Sequence, residues 1–237
     1  MNNVILKLSG EVLKGRQDSG IDYDKLLVFA KDIKEAWLLN KYNIGIVIGG
    51  GNFFRGRDSE KIGLSRVDCD YMGMMGTMLN SIALNDCLKK LGVKVKLYTS
   101  LSFPKVMLDY NPEDAIKSLE EGYVNIYAGG TGNPYCSTDS ATLMKSKDTN
   151  VKLVLMGKSG VDGVYDKDPR VFEDAKKYDI LTHRDILVNN LGVMDLTAAT
   201  IANDNNINIR VFDMNAKGAV KDALLGKNIG TIIKKEI

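Results

Sequence analysis

The chain has 237 residues, 44% hydrophobic and 26% charged, with 32 basic against 30 acidic side chains and a formal charge of +2. That length serves one large α/β domain or two small lobes burying roughly 70% or more of the unfolded surface, and the balanced charge points to neither a nucleic acid nor a membrane surface. No apolar run approaches the ~20 residues of a membrane span, Met1-Asn2-Asn3 leads into a strand rather than a signal peptide, and Cys69, Cys87 and Cys136 read as reduced intracellular thiols rather than a disulfide framework or zinc site.

The apolar run Val4–Leu8 predicts a strand ending in Ser9-Gly10-Glu11. Lys7 within it is either an edge or snorkelling side chain or, beside a Ser-Gly turn, a phosphate-facing one. Residues 15–20 form a polar loop. Asp22 to Lys41 carries Leu26, Ala30, Ile33 and Trp37 at helical spacing. The next strand, Ile44–Ile48, runs into Gly49-Gly50-Gly51-Asn52. Consecutive glycines cost backbone entropy, which a close approach of backbone to ligand would explain. Arg55 follows, as a guanidinium for the same anion or as a solvated charge.

Arg66 to Leu91 reads as a long helix with Met74, Met75, Met78, Leu79 and Ile82 on an apolar stripe, the methionines as core filler. Asp70 near its start either complements the helix dipole or faces a ligand cleft. Val93–Thr99 is a third strand, and 100–110 has no assignment. Asn111-Pro112-Glu113 opens a helix that Gly122 closes. Val124–Ala128 is a buried strand. From Gly129 to Thr142 the chain then passes through glycines, a proline and hydroxyls into a helix starting near Ser137, a junction that either aims backbone N–H groups at an anion or polar ligand or is simply a tight turn.

A second part begins near Asn150. Val151–Met156 is a strand entering Gly157-Lys158-Ser159-Gly160. This is not a P-loop: Lys152 stands where the motif needs glycine, and Gly160, Gly163 and Pro169 forbid the following helix. Tyr135 breaks the nearest Gly-x-Gly-x-x-Gly candidate. The only histidine, His183, falls in Thr182-His-Arg-Asp185, which resembles a capping box and argues against Ser-His or Cys-His chemistry. Helices over 182–190 and 195–205, a strand at Ile209–Phe212, a helix over 216–225 and a strand at Thr231–Lys234 complete the chain. Alternating strands and helices predict an α/β fold, a mostly parallel central sheet in an α/β/α sandwich. Its ligands would bind beyond the carboxyl ends of the strands. There the sequence gathers Lys7-Leu8-Ser9-Gly10, Gly49–Asn52, the Gly129–Thr142 loop and Lys158-Ser159-Gly160. Backbone N–H groups, two lysines and one arginine suit a polyphosphate and its transfer. An acceptor that is itself a phosphate needs no general base, because its second pKa near 6 leaves it mostly ionised.

Lys7-Leu-Ser-Gly-Glu11, Gly49-Gly-Gly-Asn-x-x-Arg55-Gly56, Asp70-x-Met72-Gly-Met74, Gly130-Thr-Gly-Asn-Pro-x-x-x-Thr-Asp-Ser140, Val161-Asp-Gly-Val-Tyr165, Asp168-Pro169 and Arg210-Val-Phe212 together resemble the bacterial uridylate kinases of the amino-acid kinase family, across essentially the whole chain. The resemblance implies the amino-acid kinase fold and transfer of the ATP γ-phosphoryl to UMP, with Mg²⁺ carried by ATP and no dedicated metal ligand, in pyrimidine nucleotide (CTP/UTP) biosynthesis. It implies a lobe over 1–148 with the UMP site and phosphate loops, and one over 149–237 with the adenosine part of the ATP site. By motif, Lys7, Leu8, Ser9, Gly10 and Gly51 would hold the ATP phosphates and Arg55 would bridge donor and acceptor. Ser159, Tyr165 and Asp168 would line the adenosine pocket. Gly50 and Asp70 would hold UMP, and Thr131, Gly132, Asn133, Pro134, Tyr135, Cys136, Ser137 and Thr138 would read its uracil and sugar. Asp139 would orient the catalytic lysines. One departure stands out. Leu155-Met-Gly-Lys-Ser-Gly160 replaces the common Leu-Lys-Ala-Thr-Lys and is one residue longer, so Lys158 is expected to supply the second cation from a shifted backbone. A cytoplasmic homohexamer with GTP and UTP effectors is also implied. A same-fold kinase of a carboxylate or carbamate and a non-catalytic nucleotide sensor or storage protein are the alternatives.

Overall fold

A computed structural model describes residues 2–54, 63–189 and 191–236; Arg55 lies outside them. Among the described residues nine strands form one sheet. At its centre β1 (Asn2–Leu8) pairs in parallel with β2 (Tyr42–Ile48) on one side and β6 (Leu153–Lys158) on the other. Beyond β2 come β5 (Val124–Ala128), β3 (Val95–Thr99) and the short β4 (Leu108–Asp109), all parallel. Beyond β6 lie β10 (Asn208–Asp213), β11 (Thr231–Lys234) and β9 (Ile180–Thr182), with β11 antiparallel to β10. A separate antiparallel ribbon joins β7 (Val164–Tyr165) to β8 (Lys177–Tyr178). The expected strands are all present. The sequence reading had no signal for β4, β7, β8 and β9, which are two or three residues long.

The central strands are apolar on both faces because helices cover both. Alternation along β1 sends Val4, Leu6 and Leu8 into one core layer and Ile5 into the other. The first layer packs α1 (Gly10–Leu13), α2 (Tyr23–Leu38), α3 (Arg66–Lys90) and α8 (Ala219–Leu224) through Leu26, Phe29, Ile33, Leu84, Leu88 and Val220. The second packs α4 (Pro112–Glu120), α5 (Thr138–Asp148), α6 (His183–Val188) and α7 (Leu196–Asp204) through Ala115, Leu143, Ile186 and Ala198. This is an α/β/α sandwich. Its helices start where capping residues stand, with Asp22, Ser65, Asn111, Ser137 and Asp195 each accepting a first-turn N–H.

The stripe expected on α3 is only partly inward. Met74 is buried, but Met75 and Leu79 are 60% and 49% exposed. The buried face instead carries Gly76, Thr77, Asn80 and Ser81. The reason is what this face meets. Backbone of the glycine loops packs there, so small and hydrogen-bonding residues replace apolar ones. Cys69 and Cys87 are buried free thiols and Cys136 is an exposed one.

The capping box at Thr182 and Asp185 forms as expected, and it seats His183 in the interior, 1% exposed, with Nε2 unpartnered. Burial pushes the imidazole below its ordinary 6.5, against a raising contribution from the Ile207 backbone. A depressed histidine binds its proton in the unfolded chain first, so stability rises with pH up to about 6.5 and falls below it. His183→Met should therefore lose less stability than the parent between pH 7.5 and 5.5 in urea melts, the difference growing by up to about 1.4 kcal/mol per pH unit. Parallel losses would remove His183 from the acid response.

Candidate active site

Lys7 lies at the carboxyl end of β1, in the middle of the sheet, so the edge-strand reading falls. Its neighbour β6 runs in parallel register with Lys7 opposite Met156. Lys158, two residues further on, projects from the same face because strand side chains alternate. Both ammonium groups meet one carboxylate. Lys7 Nζ is 2.9 Å from Asp139 Oδ1, and Lys158 Nζ is 3.0 Å from Asp139 Oδ2. Asp139 sits in the first turn of α5, capped by Ser137, where the helix dipole also favours negative charge. Burial alone would raise the Asp139 carboxyl, but the two ammonium groups overcome it and hold it far below the usual carboxylate range. Burial pushes the Lys158 amine down, and Asp139 restores part of that loss. Fixed cations in a poorly solvated setting are suited to stabilising charge on a transferring anion.

Two clefts adjoin this triad, one through Lys158 itself and the other through Thr138 and Ser140, the neighbours of Asp139 in sequence. One, of about 440 Å³, is lined by Lys158, Ser159, Tyr165 and Asp168 among others. The second, of about 540 Å³, is lined by Gly50, Gly51, Asp70, Tyr135, Cys136, Ser137 and Thr138, together with Arg66 and Asp195. Tyr165 donates to Asp162 at 2.6 Å, and Asp168 holds the side chain and backbone N–H of Arg170. Leu8 is a buried core residue, and Ser9 N–H rests against Met214 Sδ at 3.3 Å. Thr131, Gly132, Asn133 and Pro134 are not themselves among the lining residues, though Gly130 and Tyr135 on either side of them are. Thr131 and Asn133 bond each other there, and a side chain at Gly132 would strike the Ser100 carbonyl.

Gly50 and Gly10 have a packing reason of their own, where the Gly49–Gly51 run alone points to a close approach of ligand. A Cβ on Gly50 would stand 2.3 Å from the Gly73 carbonyl oxygen, and one on Gly10 would stand 2.1 Å from that of Gly49. Backbone packs on backbone, which brings α3 and the β1 turn against this loop. Asn52 and Asn80 lock it, each amide donating to the other's oxygen at 2.9 and 2.7 Å, with further bonds to the Gly20 and Gly49 carbonyls. Asn80→Ala leaves Asn52 Oδ1 and the Gly49 carbonyl without a donor in the interior, while Asn52 Nδ2 keeps the Gly20 carbonyl, so denaturant unfolding should show a loss of about 1–3 kcal/mol for each group left unpaired. Unchanged stability would mean that water replaces the amide.

Asp70 faces the second cleft, as one of its two readings held, and it is already engaged. Arg66 Nε lies 2.9 and 3.0 Å from its oxygens, and Tyr135 N–H donates at 2.8 Å. Tyr135 holds a left-handed backbone (φ 64°) with its ring over the Arg66 guanidinium. Arg66, Asn80 and Asp195 carry no functional signal of their own in the sequence, whereas Asn52 belongs to the Gly49–Asn52 loop expected there. The i,i+4 spacing of Arg66 and Asp70 on a helix was the one available signal.

The model of the Amino acid kinase family matches residues 2–213. Among curated relatives, the uridylate kinase of Pediococcus pentosaceus is 41% identical over 233 residues, 98% of this chain and 96% of that one. Among solved structures, a UMP kinase from Bacillus anthracis superposes with a TM-score of 0.94 at 33% identity, covering 100% of this chain and 97% of that one. Another, from Ureaplasma parvum, gives 0.92 at 36% identity over 99% of each.

Proposed function

From a chain that belongs to the amino acid kinase family, we propose a UMP kinase, which transfers the γ-phosphoryl group of ATP to UMP and yields ADP and UDP. The observation that carries this reading is Asp139 holding Lys7 and Lys158, with Lys158 lining one cleft and Thr138 and Ser140, on either side of Asp139 in the chain, lining a second. The UMP phosphate oxygen attacks the γ-phosphorus while the bond to the β-phosphate bridging oxygen breaks. The acceptor arrives ionised, so the chain needs to align two anions and offset their repulsion. Lys7 and Lys158 take that role, with Leu8, Ser9, Gly10 and Gly51 along the donor phosphates and Arg55 bridging both nucleotides.

We assign adenosine to Ser159, Tyr165 and Asp168 in the 149–237 half. UMP belongs to Gly50, Asp70 and the 131–138 loop in the 1–148 half. Among the described residues no group of three or more His, Cys, Asp or Glu could cage a metal, and both Asp139 oxygens are taken by lysines. Mg²⁺ carried by the donor's own phosphates would supply charge neutralisation beside Lys7 and Lys158. The exposed Tyr71, Met72, Met75 and Leu79 of α3 support self-association, read here as a homohexamer and testable by light scattering. Among the described residues no helix is long and apolar enough to cross a membrane. A place in the cytoplasm, in CTP and UTP synthesis, and GTP and UTP as effectors complete the proposal. A coupled assay of ADP release should respond to UMP and not to CMP, glutamate or carbamate. Turnover of a carboxylate or carbamate instead would overturn it.

A further inference from the structure

Asp195 makes more bonds than its position requires. It is the N-cap of α7, and Oδ1 accepts the Ala198 N–H at 2.9 Å. The same carboxylate crosses to α5, where Oδ1 accepts the Ser140 hydroxyl at 2.9 Å and Oδ2 accepts the Ser137 hydroxyl. Capping α7 takes one oxygen. Capping α5 takes none of this, because Ser137 Oγ already accepts the Ser140 N–H at 2.9 Å. The additional bonds grip the N-cap and third residue of α5 from a different helix. Between those two gripped residues stand Thr138, on the wall of the second cleft, and Asp139, which holds both lysines. Asp195 also lines that cleft, and its charge favours the protonated form of Lys158.

We propose that Asp195 is a positioning residue for phosphoryl transfer. Through the hydroxyls of Ser137 and Ser140 it fixes the first turn of α5, and so sets both the acceptor wall at Thr138 and the aim of Asp139 at Lys7 and Lys158. It reaches this turn from the half of the chain that carries the proposed adenosine pocket, so α7 ties the donor side to the acceptor side. The inference rests on the UMP kinase reading for its kinetic test. A plain staple between two helices would account for the bonds but would leave the Michaelis constants alone.

Asp195→Ser keeps a good cap on α7 and is too short to hold the two serines. It should lower kcat by about tenfold or more, as small misplacements at reacting centres do. It should also raise the KM for UMP by about fivefold with the KM for ATP within about twofold. Ser140→Ala, which leaves the α7 cap intact, should move the same constants in the same direction, and the double variant should be no worse than Asp195→Ser alone. Unchanged constants, or a kcat loss matching the unfolded fraction with both KM values intact, would overturn the inference. A parent protein without UMP-dependent ADP release would sink the proposed reaction instead. Amide exchange over residues 138–141 then decides the positioning role, since Asp195→Ser should speed it by about tenfold or more, and equal exchange would refute it.

Discussion

Lys158→Ala should turn over UMP about 10²–10³ times more slowly than the parent protein, the loss commonly seen when one preorganised charge donor is removed from a transition-state site. The fold should survive. Asp139 would keep Lys7 at 2.9 Å, so no carboxylate is left buried and alone. Lys158→Met, which fills the space without the charge, should behave alike, and that separates a lost cation from a lost contact. A Lys158→Ala protein retaining nearly full kcat would show that the end of β6 does not deliver the second cation.

Asp139→Asn should cost activity at least as heavily as Lys158→Ala, because both ammonium groups lose their common anchor. It should also cost stability, since removing one partner of a buried ion pair leaves uncompensated charge, typically about 3–5 kcal/mol. The pH dependence has a definite sign. Asp139 has its folded pKa depressed below the ordinary 3.8, so its contribution is complete above that value and disappears as pH falls through the folded one. Asp139→Asn lacks that acid limb. Burial already favours the neutral amine of Lys158, so the variant's deficit should shrink as pH rises and the stranded amine gives up its proton. Urea melts across pH would check both limbs. A deficit constant from acid to alkaline pH would place the two lysines with other counterions.

Much of the fold was legible because its signals are local. Val4–Leu8 and Val124–Ala128 are apolar on both faces, and Asp22, Asn111, Ser137 and Thr182 are capping residues that stop or start helices where expected. β7, β8 and β9 were not legible, since two or three residues carry no period. The α3 stripe misled because its inner face is set by the glycine loop it touches, a partner distant in sequence. In the site, Lys7 and Lys158 stood out as lysines at strand ends, and Asp139 came from the family motif. Asp195 and Asn80 did not stand out, because a cap and a mid-helix amide gain their roles only when another segment folds against them.

The pairing of β1 with β6 carries a consequence for how such a site could have changed over time. Lys7 faces Met156, and Lys158 lies one full pleat beyond. A positive charge can slide along β6 only in strides of two, since an odd stride would turn it toward the opposite helical layer. Lys158 satisfies that parity with Lys7, and a lysine displaced by one residue along β6 would face the opposite helical layer.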